Sequence, residues 1–153
     1  MTKCCCKGHP VQPLPMVAEG LITITGQLAA GPNYDQIVIA GMVPYNDGQH
    51  LWAVRRVWFA FGAAESGASG EDHTVVTFYQ GDTGVTTGTT VSLSALTTED
   101  NPTIGEPVTG DLYYEVDPGK LLFVKATVAG VGAVDFDLES LAFGFDLLRV
   151  RIN

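Results

Sequence analysis

The sequence predicts an all-β chain that folds as a jelly-roll-like β-sandwich or barrel and carries an extended N-terminal arm. Short segments alternate apolar and polar residues in the way that half-buried strands do. Turns rich in Gly, Pro, Asn and Asp separate these segments, and no long stretch has a convincing helical pattern. A chain of 153 residues suits one domain. We therefore expect a single β-sandwich over residues 20–153 and an arm over residues 1–19.

The arm is predicted from its prolines, which fix their own backbone and push the preceding residues toward extended conformations. Nineteen extended residues reach about 60 Å, far beyond the body of such a domain. We therefore expect the arm to tether the domain to a neighbouring subunit, with a frayed terminus as the alternative. The candidate tether residues are Cys4, Cys5, Cys6, Pro10, Pro13 and Pro15.

The three cysteines of the chain all lie in the arm, close to His9. Zinc ligands usually come as pairs of cysteines separated by two to four residues, and no second pair follows. We therefore expect no metal and no cofactor. A domain without cysteines suits a reducing compartment. The sequence leaves open whether the cysteines are free, joined by disulfides or bound to a metal.

The first strand is predicted at 21–25, where apolar residues alternate with hydroxyl residues up to Gly26. A second strand is predicted at 36–45, followed by the strong turn signal Asn46-Asp47-Gly48. Segment 50–61 is therefore expected to return beside it as a hairpin. After it, a loop is predicted at 62–70.

Segment 51–61 also fits a helix, since Val54, Val57, Trp58 and Phe61 have helical spacing. Its aromatic and β-branched residues, together with the preceding turn, favour a strand. In a regular strand Trp52 and Trp58 would face the same side. Exposed there, they would offer a platform for sugar rings, whereas buried they would belong to the core.

Four further strands are expected in the middle of the chain, at 73–80, 89–96, 112–116 and 121–128. A Gly/Thr loop at 81–88 and an irregular connection at 97–109 separate them. The turn Asp117-Pro118-Gly119 is expected to make the last two strands a hairpin.

Two segments with clear alternation, 134–139 and 148–152, end the chain. Carboxylates alternate with apolar residues in the first segment, and arginines do so in the second. We expect the two to pair as a hairpin around Ala142 or Phe143. That register would place charges of opposite sign together, namely Asp135 and Asp137 opposite Arg149 and Arg151.

The charge balance excludes several partners. Eight basic and seventeen acidic residues give a net charge of −9, which repels nucleic acids and anionic membrane surfaces. No apolar run is long enough to cross a membrane as a helix. Hydrophobic residues make up 46% of the chain and charged residues only 16%. Apolar side chains must therefore remain at the surface, which predicts assembly with other copies or with a larger particle.

No arrangement of residues indicates catalysis. Outside the arm the histidines are His50 and His73, and neither belongs to a recognisable nucleophilic motif. A phosphate-binding Gly-x-x-x-x-Gly-Lys-Ser/Thr loop is absent from the sequence. We therefore expect a protein that is not an enzyme. A small enzyme of cupin type, which uses clustered histidines, is the weakest alternative.

Four features occur together in this sequence: the proline-containing arm, the cysteine-free β domain, the acidic, apolar composition and the loop Gly81-Asp82-Thr83-Gly84-Val85-Thr86-Thr87-Gly88. In this combination the chain resembles small structural proteins of tailed bacteriophages. The closest type is the head decoration (cement) protein. The resemblance implies a virion protein, made in the host cytoplasm, that binds the major capsid protein and itself, commonly as a trimer. It implies a role in stiffening the shell and assigns no functional residue. The second hypothesis is a carbohydrate-binding module that uses Trp52 or Trp58.

Overall fold

The computed structural model of the chain describes residues 17–28, 31–32, 37–61, 73–82, 90–97, 105–129, 137–138 and 140–152. These residues form ten β-strands and no helix that could cross a membrane. The strands are β1 (Val17–Leu28), β2 (Gly31–Pro32), β3 (Ile37–Met42), β4 (His50–Phe61), β5 (His73–Gly81), β6 (Val91–Thr97), β7 (Val108–Val116), β8 (Leu121–Ala129), β9 (Asp137–Leu138) and β10 (Leu141–Arg151).

Eight of these strands form two antiparallel sheets. The first sheet has the order β1-β10-β4-β7 and the second has the order β3-β8-β5-β6, while β2 and β9 pair separately. The eight long strands pair from the ends of the chain inward: β1 pairs with β10, β3 with β8, β4 with β7 and β5 with β6. A long antiparallel ribbon folded over in this way is a jelly roll. The prediction of a jelly-roll β-sandwich is confirmed.

The core lies between the two sheets and is built mainly from phenylalanine, leucine and valine. Phe78 of the second sheet meets Phe145 of the first edge to face, with ring centroids 5.2 Å apart. Both rings are completely buried, and burying each contributes about 1.5–3 kcal/mol. Phe143 needs the space above Gly26, because a Cβ atom at that glycine would overlap its ring. The Phe78–Phe145 contact therefore joins the inner faces of the two sheets, and Gly26 makes room for Phe143 within the first sheet.

Segment 50–61 is a strand, as predicted, but it does not form a hairpin with its predecessor. β3 pairs with β8, whereas β4 pairs with β10 and β7. The Asp117-Pro118-Gly119 turn likewise joins β7 in the first sheet to β8 in the second. Both hairpin predictions are wrong, because the turns lead from one sheet to the other. Main-chain hydrogen bonds from Val43 N–H to Lys120 C=O (2.8 Å) and from Gly119 N–H to Val43 C=O (3.0 Å) hold the two connections together.

The predicted hairpin at the C-terminus is also wrong. β10 runs without a turn through Ala142 and Phe143 and pairs with β1 on one side and β4 on the other. Asp137 lies opposite Pro32, and Arg149 lies opposite Gly20 and Trp52. Apolar side chains point inward at every second position from Leu141 to Leu147, which keeps this strand in the centre of its sheet. Asp135 lies outside the described residues.

The N-terminal strand is longer than predicted. β1 begins at Val17, three residues before the predicted domain boundary, and continues past Gly26 to Leu28. Val17 lies opposite Arg151 and Ala18 opposite Val150. The candidate tether residues and the loop at 62–70 lie outside the described residues.

Candidate functional site

The two tryptophans lie on opposite faces of the first sheet, although the sequence predicted one face for both. The pairing of β4 with β10 shifts between Val54 and Arg56, opposite the successive residues Leu147 and Asp146, so that β4 contains one extra residue there. Such a bulge reverses which side chains point inward. Trp52 packs against the core, whereas Trp58 lies on the outer face beside Arg56 and Ala60. The expectation of a shared platform is therefore wrong, and of the two tryptophans it is Trp58 that lies on the outer face.

Trp58 lies close against the neighbouring strand. Its partner across the ladder is Gly144 in the centre of β10. A Cβ atom built on Gly144 would come within 2.5 Å of Cε2, 2.6 Å of Cζ2 and 2.7 Å of Nε1 of the indole. The ring can occupy this position only because residue 144 has no side chain. Glycine inside a strand often marks such a close approach.

Trp58 lines an open cavity of about 350 Å³ on the outer face, which we call the Trp58 cavity. Its lining comes from β4, β10, the start of β7 and the segment that leads into β7. The main-chain N–H of Gly105 donates to the C=O of Phe61 at 3.0 Å, which holds that segment against the end of β4. The lining residues are Arg56, Trp58, Ala60, Gly105, Pro107, Thr109 and Asp146. An aromatic ring beside a few polar groups is the usual make-up of a small-ligand site.

A row of polar side chains crosses all four strands of the first sheet beside Trp58. Thr23, Asp146, Arg56 and Asp111 lie opposite one another in register. Arg56 Nε donates to Asp111 Oδ1 at 2.7 Å, and Thr23 Oγ1 donates to Asp146 Oδ1 at 2.8 Å. The hydrogen bond from Arg56 lowers the pKa of Asp111 below its usual value. The Arg56 guanidinium is therefore paired with Asp111, while Asp146 is held by the Thr23 hydroxyl.

A second polar cluster surrounds the turn before β4. The Asp47 carboxylate accepts hydrogen bonds from the main-chain N–H groups of Gln49 and His50, both at 2.9 Å. It also contacts His50 Nδ1 at 2.8 Å and accepts from Arg149 Nη2 at 2.6 Å. These bonds, the one from Gln49 most, hold the pKa of Asp47 far below its ordinary value. The carboxylate therefore stabilises the turn and fastens it to β10.

An apolar surface follows the side of the sandwich where the edge strands β1 and β3 contact each other. We call it the apolar flank and define it by Leu21, Ile22, Ile39 and Met42. Their side chains are 53%, 36%, 50% and 49% exposed. Leu21 and Ile22 are successive residues of β1 and point to opposite sides of that strand, so the apolar flank is a set of exposed apolar residues along the two touching edge strands and not the surface of one sheet face.

The remaining predicted site residues do not add to these surfaces. His73 begins β5, in agreement with the strand predicted at 73–80. Within the part of the chain that the structure describes, no three histidine, cysteine or acidic residues group closely enough to hold a metal ion. Cys4, Cys5, Cys6 and His9 lie outside that part. Sequence reasoning missed Arg56, Thr109 and Asp146, whereas Gly144 between two core phenylalanines is a signal for the indole beside them.

Comparison with known proteins finds no matching family model and no matching curated sequence. A structure of Desmodium yellow mottle tymovirus has a TM-score of 0.32 and 10% identity, covering 100% of this chain and 94% of that chain. A structure of infectious bursal disease virus, Gx strain, has a TM-score of 0.37 and 13% identity, covering 88% and 33%. The crystal structure of the T13 particle of the same virus has a TM-score of 0.36 and 15% identity, covering 88% and 36%. This chain spans about a third of the latter two chains, and its fold assignment rests on its own strand order.

Proposed function

We propose that this chain is a structural protein of a virion and not an enzyme. In this proposal it assembles with copies of itself, as a trimer, and binds the major capsid protein on the outside of a bacteriophage head as a decoration (cement) protein. The observation that carries the proposal is the apolar flank on a jelly roll. Jelly rolls recur in viral capsid and lectin domains, and apolar patches of this kind mark contacts between proteins.

The physical argument starts from the shortage of charge. Only 16% of the residues are charged, and the net charge of −9 comes from a small number of acidic groups. The apolar flank carries no ionisable side chain among its four residues. Burying it against another subunit contributes about 25 cal/mol for each Å² of apolar surface removed from water. The acidic remainder of the surface keeps the assembled particles soluble.

Light scattering tests the self-assembly directly. The wild-type protein is expected to have about three times the 16.2 kDa mass of one chain. Leu21→Asp combined with Ile39→Asp should reduce it to a monomer, because two carboxylates cannot be buried unpaired. The matched control is Tyr113→Asp, which changes a side chain that is 50% exposed on the edge strand β7, on the other side of the sandwich. A monomeric wild-type protein contradicts the proposal.

The binding to a particle is tested by truncation. β1 begins at Val17, so removal of residues 1–16 leaves every described strand complete, whereas removal of residues 1–19 also takes strand residues. We expect the shorter truncation to keep the wild-type circular dichroism spectrum and to lose co-sedimentation with capsids. If the truncated protein sediments with capsids as the full chain does, the arm is not the tether.

A further inference from the structure

We propose that the Trp58 cavity binds an uncharged pyranose ring, stacked on the indole of Trp58. The inference does not depend on the proposed virion role, because a structural protein needs no such site. It rests on the position of the indole, on the polar side chains beside it and on the sign of their charge.

The indole presents one accessible side. The ring lies against Gly144, with three ring atoms in the space that a Cβ atom would occupy. A ligand can therefore meet only the side and the edge that line the cavity. A volume of about 350 Å³ is at the small end of the range for ligand sites. We expect one or two sugar rings to fill it.

The polar groups of the cavity match neighbouring hydroxyl groups on a sugar. Arg56 donates, Asp146 accepts, and the Thr109 hydroxyl can do either. Arg56 is already oriented by Asp111 at 2.7 Å, and Asp146 by Thr23 at 2.8 Å. Side chains held in this way lose little freedom when a ligand binds. Hydrogen bonds from hydroxyl groups to these charged groups are stronger than neutral ones.

The charge of the site selects against acidic sugars. The Arg56 guanidinium in the lining is already paired with Asp111, Asp146 is the carboxylate that lines the cavity, and the chain as a whole carries −9. A sialic acid or a sugar phosphate would be repelled. An uncharged hexose meets acceptors and donors without this penalty, so we expect discrimination between neutral and anionic glycans.

Fluorescence titration tests the inference. The chain has two tryptophans, so Trp52→Phe leaves Trp58 as the sole indole. Methyl glucoside, galactoside and mannoside and their short oligomers are the neutral probes, and sialyllactose is the anionic probe. We expect a saturable change in emission with at least one neutral probe and a weaker response, or none, with sialyllactose.

Two substitutions connect the signal to the cavity. Calorimetry with the best neutral probe should show that Trp58→Ala in the otherwise wild-type chain weakens binding at least tenfold, about 1.4 kcal/mol. Asp146→Asn, which keeps the size of the side chain, should also weaken binding. Trp52→Phe is the matched control and should leave the affinity unchanged. The inference is overturned if no neutral probe binds, if sialyllactose binds more tightly, or if both cavity variants bind as the wild type does.

Discussion

Replacement of Gly144 by alanine should destabilise the protein, in contrast to the usual effect of such a change in a strand. Alanine in place of glycine ordinarily recovers about 0.5–1 kcal/mol of backbone entropy. At Gly144 the new methyl group would lie 2.5–2.7 Å from three indole atoms of Trp58. Overpacking of this kind costs about 1–3 kcal/mol. We expect a net loss of about 1–2 kcal/mol in the free energy of unfolding, or roughly 2–8 °C in Tm for a chain of this size.

Urea denaturation followed by circular dichroism measures this loss. Gly20→Ala is the matched control, because a Cβ atom there would meet only Arg149 Cβ at an ordinary 3.9 Å. That variant should be neutral or up to about 1 kcal/mol more stable. In a Trp58→Leu background the effect of Gly144→Ala should largely disappear, since the two residues are in contact. The reasoning fails if Gly144→Ala is as stable as the wild type. It also fails if Gly144→Ala lowers the free energy of unfolding by the same amount in the Trp58→Leu background.

Three other perturbations test the fold and its turns. Phe145→Ala should lower the free energy of unfolding by about 3–5 kcal/mol in urea, because a buried ring against Phe78 is lost. Asp47→Asn should lower Tm at pH 7, and a pH series should show the difference from wild type shrinking below about pH 4. The lowered pKa of Asp47 contributes its full stabilisation above the ordinary aspartate value of about 3.9 and loses it progressively as the pH falls below that value, so a constant difference down to pH 2 would contradict it. Gly119→Ala should cost about 1–2 kcal/mol in the same urea assay, because φ is 76° there and the Tyr45 ring lies 3.1 Å from the added atom. If Gly119→Ala is as stable as the wild type, the turn adjusts to the added atom and the prediction is wrong.

The sequence predicted where strands lie better than how they pair. Alternation in segments such as 50–61 depends only on the residues themselves, and that segment is a strand. The turn at Asn46-Asp47-Gly48 reverses the chain as its residues require, but reversal does not determine the partner strand. Here Asp47 also holds Arg149, about a hundred residues later, and that contact has no local signal. Partners are chosen by which apolar faces can be buried together, a property of the whole chain.

For a similar reason the sequence predicted only part of the candidate site. Trp58 was recognisable as an aromatic residue that a ligand could use, but its direction depends on the extra residue of β4 in its pairing with β10. No residue type in that stretch requires a bulge. Gly144 was the stronger clue, since a glycine between Phe143 and Phe145 interrupts a strand that otherwise fills the core. A central glycine of this kind predicts a large neighbour on the opposite face of the strand from the core residues.

The apolar flank and the Trp58 cavity can act at the same time, because they involve different parts of the sandwich. The flank follows β1 and β3, whereas the cavity lies over β4, the centre of β10, the start of β7 and the segment that leads into β7. Subunits that meet through the flank would leave Trp58 facing outward. Thr23 connects the two surfaces, since it lies on the same face of β1 as Leu21, two residues away, and donates to Asp146. Assembly that displaced Thr23 would leave Asp146 Oδ1 without the Thr23 hydrogen bond and able to accept one from a sugar hydroxyl. Sugar affinity measured at protein concentrations above and below those needed for assembly would therefore reveal coupling between the two surfaces.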